Sequence, residues 1–268
     1  MSAGILISSL LVAAVSTAPA PPPVDAHVDY QLGEPYEPPA GTTVVARDWF
    51  DGEALEGGYS ICYVNAFQTQ DDDTDVDRPD ERSNWPDNLV LTDLGDDPNW
   101  GGEYLIDISS AANRQAALNH VVPMIDVCGD KGFNAVEYDN LDSWARFDGT
   151  EVEGQVPFGI DDTIAYAELL TDYAHGLGMA VGQKNALELE AANSIDVIGF
   201  DFVVVEECGV FDECADFADV FGANIIDIEY TEEGFAAACE SIGAHASVML
   251  RDVVLTAPGS ETYVYDSC

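Results

Sequence analysis

The sequence predicts a parallel α/β fold, a (β/α)8 barrel with one extra strand at its periphery. Three observations predict it. Strand-like apolar runs alternate with stretches of helical spacing through most of the 268 residues. Polar and charged residues end those runs all along the chain, as a barrel mouth requires, whereas an open doubly wound sheet gathers its site at one switch point. No strand-like run is followed by Gly-x-Gly-x-x-Gly, which removes the dinucleotide-binding form of the open sheet.

Residues 1–20 contain an apolar run at 4–18 that closes on Ala18-Pro19-Ala20. It is short for a bilayer span and reads as the core of a secretory signal peptide, an atypical one because no basic residue precedes it. A secreted protein without stable membrane insertion is expected. Residues 21–41 form a proline-rich leader holding a first strand at Val28–Leu32, and the barrel domain is expected over 28–268. Further strand-like runs are Thr43–Arg47, Tyr59–Ala66, Tyr104–Ile108, Ala135–Tyr138, Ala180–Lys184, Phe202–Glu206, Ile225–Glu229 and Ser247–Arg251. Nine runs compete for eight positions, so one is peripheral. Helical spacing covers Arg114–Lys131, Asp162–Leu177 and Glu232–Ile242, with turn signals at Lys131-Gly132 and Gly176-Leu177-Gly178.

The chain carries 51 acidic and 8 basic residues, a formal charge of -43 spread along its whole length. Such a surface repels itself unless salt screens it, so adaptation to a high-salt environment is the simplest reading. A cleft that attracts a cationic polymer is compatible with it. Nucleic acid is excluded as a partner, because no basic patch could neutralise phosphates. The length suits one sizeable core, and a monomer is expected. Six cysteines fit an exported disulfide protein. Cys208 with Cys214 is the nearest pairing, Cys239 with Cys268 the next, and Cys62 with Cys128 completes the set, other connectivities remaining open.

The chemistry gathers at the strand exits. Val136-Glu137-Tyr138-Asp139-Asn140-Leu141-Asp142 and Val203-Val204-Val205-Glu206-Glu207 both run from apolar strand into carboxylates. Acids at the end of a buried strand are costly unless hydrogen-bonded or used. A facing pair is what glycoside hydrolysis needs: one carboxylic acid protonates the leaving oxygen and one carboxylate attacks or activates water. Asp139 and Glu206 are the candidate pair. For Asp139 the plainer role is a turn or helix cap, and for Glu206 a structural ion pair. Glu206 and Glu207 point to opposite faces of a strand, so only one can face inward. Lys184, one of two lysines, either holds a neighbouring carboxylate ionised or is a structural partner. Gln31, Tyr63, Asn65, Glu137, Asn140, Asp142, Lys184, Asn185, Glu229 and Tyr230 are candidate sugar contacts around the same mouth.

Other constellations fail. Asp71-x-Asp73-x-Asp75 starts like a calcium loop, but Val76 stands where glycine is needed and Arg82 where the bidentate glutamate belongs. The four histidines form no His-Glu-x-x-His, and there is neither a Gly-x-Ser-x-Gly elbow nor a Walker loop. No metal is expected, and two-carboxylate hydrolysis needs no cofactor.

Five ordered segments, Ile61–Ala66, Ala135–Asp142, Gly182–Asn185, Phe202–Cys208 and Ile228–Tyr230, resemble glycoside hydrolase family 114, the endo-α-1,4-polygalactosaminidases, from about Val28 to the C-terminus. The resemblance implies a (β/α)8 barrel, with Asp139 as nucleophile and Glu206 as acid/base of a retaining mechanism. It also implies a galactosamine-containing polysaccharide as substrate, cationic where deacetylated. Tyr138 replaces the family's usual proline and Val205 its common asparagine, which leaves both carboxylates in place. Two alternatives remain open: a non-catalytic sugar-binding barrel, and a glycosidase of another amino-sugar polymer.

Overall fold

A computed structural model of the chain describes residues 19–71, 78–191 and 194–268. The signal-peptide reading of residues 1–20 lies almost wholly outside the described residues, as does most of the segment Asp71–Asp75.

Eight parallel strands follow in chain order, each beside the next: β1 (Val28–Gln31), β2 (Val44–Asp48), β3 (Tyr59–Asn65), β4 (Ala135–Asp139), β5 (Ala180–Lys184), β6 (Phe202–Glu206), β7 (Ile225–Glu229) and β8 (Ser247–Arg251). The helices are α1 (Ala111–Asp130), α2 (Ile160–Gly176), α3 (Glu188–Ala191), α4 (Ser194–Ile198), α5 (Cys208–Phe211), α6 (Cys214–Phe221) and α7 (Glu232–Ser241). The result is a (β/α)8 barrel.

Side-chain alternation divides the core into two layers. Val28, Tyr30, Ala46, Ile61, Phe202, Val204, Ile228 and Met249 fill the barrel. Cys62, Val64, Val136, Val203, Val205 and Val248 face outward onto helix residues such as Val121, Leu170 and Phe217. Gly182 in β5 has a packing reason: a Cβ there would come within 2.6 Å of the Phe202 ring.

Among the described residues no backbone ladder joins β8 to β1. Side chains close this seam instead. Ser247 Oγ accepts the Ala26 N–H at 2.9 Å, and Tyr265 donates to the Val28 carbonyl at 3.1 Å. Arg251, wholly buried, donates to Asp29 Oδ1 at 3.0 Å and to the Tyr30 carbonyl.

Two strand expectations are corrected. Tyr104–Ile108 is not a barrel strand but a connection touching Gln68 and Val90 through isolated bridges at Leu105 and Ile106. Its Leu105, Ile106 and Ile108 are buried, which explains the strand-like pattern without a place in the ladder. Conversely, β9 (Tyr265–Ser267) pairs antiparallel with β8; at three half-exposed residues it is too short to carry a periodic signal. The disulfides are Cys62–Cys128, Cys208–Cys214 and Cys239–Cys268, the three pairs expected. No helix among the described residues is long and apolar enough to cross a membrane.

Candidate active site

Parallel strands bring every C-terminal end to one mouth, and there a cleft of about 350 Å³ opens. Tyr63, Asp139, Lys184 and Glu206 share the inward parity of Ile61, Ala135, Ala180 and Val204, so all four side chains converge on its floor.

Lys184 is the hub. It is nearly fully buried, with Nζ 3.3 Å from Asp139 Oδ2, 3.2 Å from Glu206 Oε2 and 3.8 Å from Glu137 Oε1. Burial alone would pull its ammonium down, but Asp139, Glu206 and Glu137 together hold it above the usual lysine range. Tyr30 and Tyr63 also place their rings 5.7 and 6.0 Å from Nζ.

Each carboxylate has its own hydrogen-bond frame. Asp139 Oδ2 accepts from the Tyr63 hydroxyl at 2.8 Å, and Oδ1 from the Asn140 N–H at 2.7 Å. Burial would raise Asp139, yet Lys184, Tyr63 and that N–H overcome it and hold the group below the usual aspartate range. Glu206 accepts from the Tyr230 hydroxyl and from Asn185 Nδ2 at 2.9 Å, while Asn185 Oδ1 takes the Glu206 N–H at 2.8 Å. Asn140, Asn185 and Glu207 take left-handed φ values of 61°, 47° and 60° directly after β4, β5 and β6. Asparagine tolerates that region; at Glu207 it is strain of the kind found beside functional groups.

The other expected residues fall into three groups. Tyr63, Asn140, Asp142, Lys184, Asn185 and Tyr230 line the cleft. Asn65 and Glu137 support it from behind. Asn65 is buried and accepts from Asn140 Nδ2 at 3.1 Å. Glu137 is wholly buried, accepts from the Tyr30 hydroxyl at 2.6 Å, and is pushed up by burial to about 8. Gln31 and Glu229 are not on the cleft wall, a correction with one cause: both follow the outward parity of their strands. Gln31 is locked between Asp29 (2.7 Å) and Arg47 (2.8 Å). Glu229 is buried, accepts the Gly209 N–H at 2.5 Å and shares its surroundings with Asp227.

The structure adds wall residues that sequence reasoning missed. Asp48 ends β2, held by Arg78 at 2.9 Å and raised by burial to about 6 despite that pair. The strand-exit rule would have found it. Trp100 and Glu103 come from the β3–α1 connection, where burial and then Asp139 and Asp97 push Glu103 to about 8. Arg146 binds Asn140 Oδ1 and Asp142 Oδ1, each at 2.8 Å. Trp100 and Glu103 lie in the β3–α1 connection and Arg146 in the β4–α2 connection, and the only signal for them was the length of those connections, since long loops are often functional.

The sequence profile of glycoside-hydrolase family GH114 matches residues 9–268. The fold is similar to Aspergillus fumigatus Ega3 in complex with galactosamine, at 23% identity and a TM-score of 0.75 over 96% of this chain and 100% of that one. It is also similar to the glycoside hydrolase domain of PelA from Pseudomonas aeruginosa, at 13% identity and a TM-score of 0.58 over 87% of this chain and 97% of that one. A search of curated protein sequences found no match. The profile covers both carboxylate-bearing strands and nearly the whole barrel, so the chain is a glycosidase and belongs to glycoside-hydrolase family GH114.

Proposed function

We propose that the protein is a secreted, endo-acting glycosidase that cleaves α-1,4 links in galactosamine-containing polysaccharide with retention, Asp139 attacking and Glu206 serving as acid and then base. One observation carries this reading: both carboxylates contact the same buried ammonium. Their nearest oxygens therefore lie at most about 6.5 Å apart, at or below the lower edge of the ~6.5–9.5 Å that an inverting pair needs.

In the first step Glu206 gives its proton to the glycosidic oxygen while an Asp139 oxygen bonds the anomeric carbon and the leaving chain departs. In the second, water attacks that carbon, Glu206 takes the proton, and Asp139 leaves as carboxylate. Lys184 and Tyr63 keep Asp139 ionised beforehand, and Tyr230 and Asn185 fix the direction of Glu206.

Five carboxyl groups and three cationic groups line the cleft; Glu103 keeps its proton up to about pH 8, so the negative excess that favours a cationic sugar over an anionic one grows as pH rises. Ega3 was crystallised with galactosamine, which agrees with this choice. Three disulfides and the apolar run at 4–18 support export.

The test is release of reducing ends from α-1,4-polygalactosamine in concentrated salt, with proton NMR of the fresh product for anomeric configuration. Asp139→Asn and Glu206→Gln should each cut the rate by about 10³-fold or more. Undiminished hydrolysis by either variant overturns the assignment, and a β-anomer as first product overturns retention.

A further inference from the structure

We infer that Trp100 is a stacking platform, a binding subsite for a hexosamine ring of the polymer away from the bond being cleaved. The inference rests on the glycosidase reading above and deepens it.

Trp100 is 50% exposed on the cleft wall, whereas Trp49 and Trp85 are buried and Trp144 packs against the core. The cleft's tyrosines are committed elsewhere: Tyr63 and Tyr230 donate to Asp139 and Glu206, and Tyr30 to Glu137. Of the aromatic residues lining the cleft, Trp100 is the one among the exposed large hydrophobic side chains of the described residues. Val253 and Val254, also exposed, line the same cleft. Trp100, Val253 and Val254 together make an exposed apolar patch on the wall of a polar cleft, the arrangement that marks a ligand-binding groove. The C–H face of a pyranose ring is apolar and flat enough to cover it, while the hydroxyl and amino edges stay in the polar cleft.

The backbone that carries the platform is also held in place before any ligand arrives. Buried Asp97 accepts the N–H groups of Asn99 and Trp100 on Oδ1 at 2.7 and 3.1 Å. Its Oδ2 accepts Gln68 Nε2 at 3.0 Å and pairs with Arg146 Nε at 3.3 Å. The Glu103 N–H returns to the Trp100 carbonyl at 3.2 Å, and the Asp97 N–H to the Glu103 carbonyl at 2.7 Å. Arg146 in turn grips Asn140, whose N–H holds Asp139. The backbone beneath the platform and the nucleophile thus share one frame, so binding has the indole's own rotamer to order and not the loop that carries it.

Energy gained on a remote sugar speeds cleavage only of chains long enough to reach it. The test is a chain-length series of galactosamine oligomers and polymer, comparing the parent with Trp100→Ala and Trp100→Phe. The deficit of Trp100→Ala in kcat/KM should grow by about 10-fold from the shortest cleaved oligomer to the polymer, and Trp100→Phe should recover most of it. A deficit equal at every length, or none, overturns the inference while leaving the reaction intact. An activity-independent arm titrates Asp139→Asn protein with galactosamine, glucosamine and N-acetylated oligomers and follows tryptophan emission, with and without Trp100→Phe. Emission that responds only when Trp100 is present supports the platform, even if polygalactosamine proves not to be cleaved. No Trp100-dependent response to any of these oligomers overturns it.

Discussion

Replacing Glu137 with glutamine isolates the electrostatic cost of the floor beneath the two proposed catalytic carboxylates. Glu137 is fully buried; Oε1 accepts from Tyr30 at 2.6 Å and lies 3.8 Å from Lys184 Nζ, and Oε2 has no hydrogen-bond partner. Burial raises the group from 4.5 to about 8, with Lys184 and Tyr30 offsetting only part of the shift. Below pH 4.5 both folded and unfolded chains hold the proton, and the contribution to stability is complete. Between those values the unfolded chain has released a proton that the folded chain keeps. The Glu137 contribution to parent stability therefore falls by about 1.4 kcal/mol per pH unit, some 5 kcal/mol in all by about pH 8. Glutamine has no proton to lose. It does place an N–H where Oε2 has no partner, a cost of about 1–3 kcal/mol that does not vary with pH. Urea unfolding of both proteins at fixed high salt, from about pH 4 to about pH 9, should show the variant gaining on the parent with that slope. A difference flat in pH would refute the argument, because Glu137 would then be an ionised partner of Lys184 in the native state.

Two further outcomes follow from the same geometry. Tyr230→Phe removes the phenol that fixes Glu206 and should lower kcat by about 10–100-fold with little change in KM, measured on the polymer; a loss under about twofold would mean that Asn185 and Lys184 suffice. Arg251→Met leaves Asp29 buried without its cation at the β8–β1 seam and should cost about 3–5 kcal/mol in denaturant unfolding, whereas a neutral result would assign closure to Ser247 and Tyr265 alone.

The carboxylate strand exits were legible because strand periodicity is local: once Val204 is known to face the barrel, Glu206 must face the mouth and Glu207 must turn away. The same rule explains the two misplaced contacts. Gln31 and Glu229 also end strands, but Tyr30 and Ile228 take the inward parity, which leaves their neighbours outside. Sequence shows that a strand alternates; it does not say which set of side chains faces inward when both are apolar, as in Val203-Val204-Val205. Trp100, Glu103 and Arg146 lie in connections without a period, so nothing local announced them.

By itself the sequence determined the barrel, the acidic character and the presence of carboxylates at two strand ends, while the connectivity of the six cysteines was settled by the structure. These follow from alternation, composition and short-range order, which the chain carries in every few residues. Only the tertiary structure decided that Lys184 stands between those carboxylates, that Glu137 is buried beneath them, and that an ordered loop holds Trp100 open beside them. Distances between groups far apart in the chain are set by how the strands close around one axis, and that closure is a property of the whole barrel.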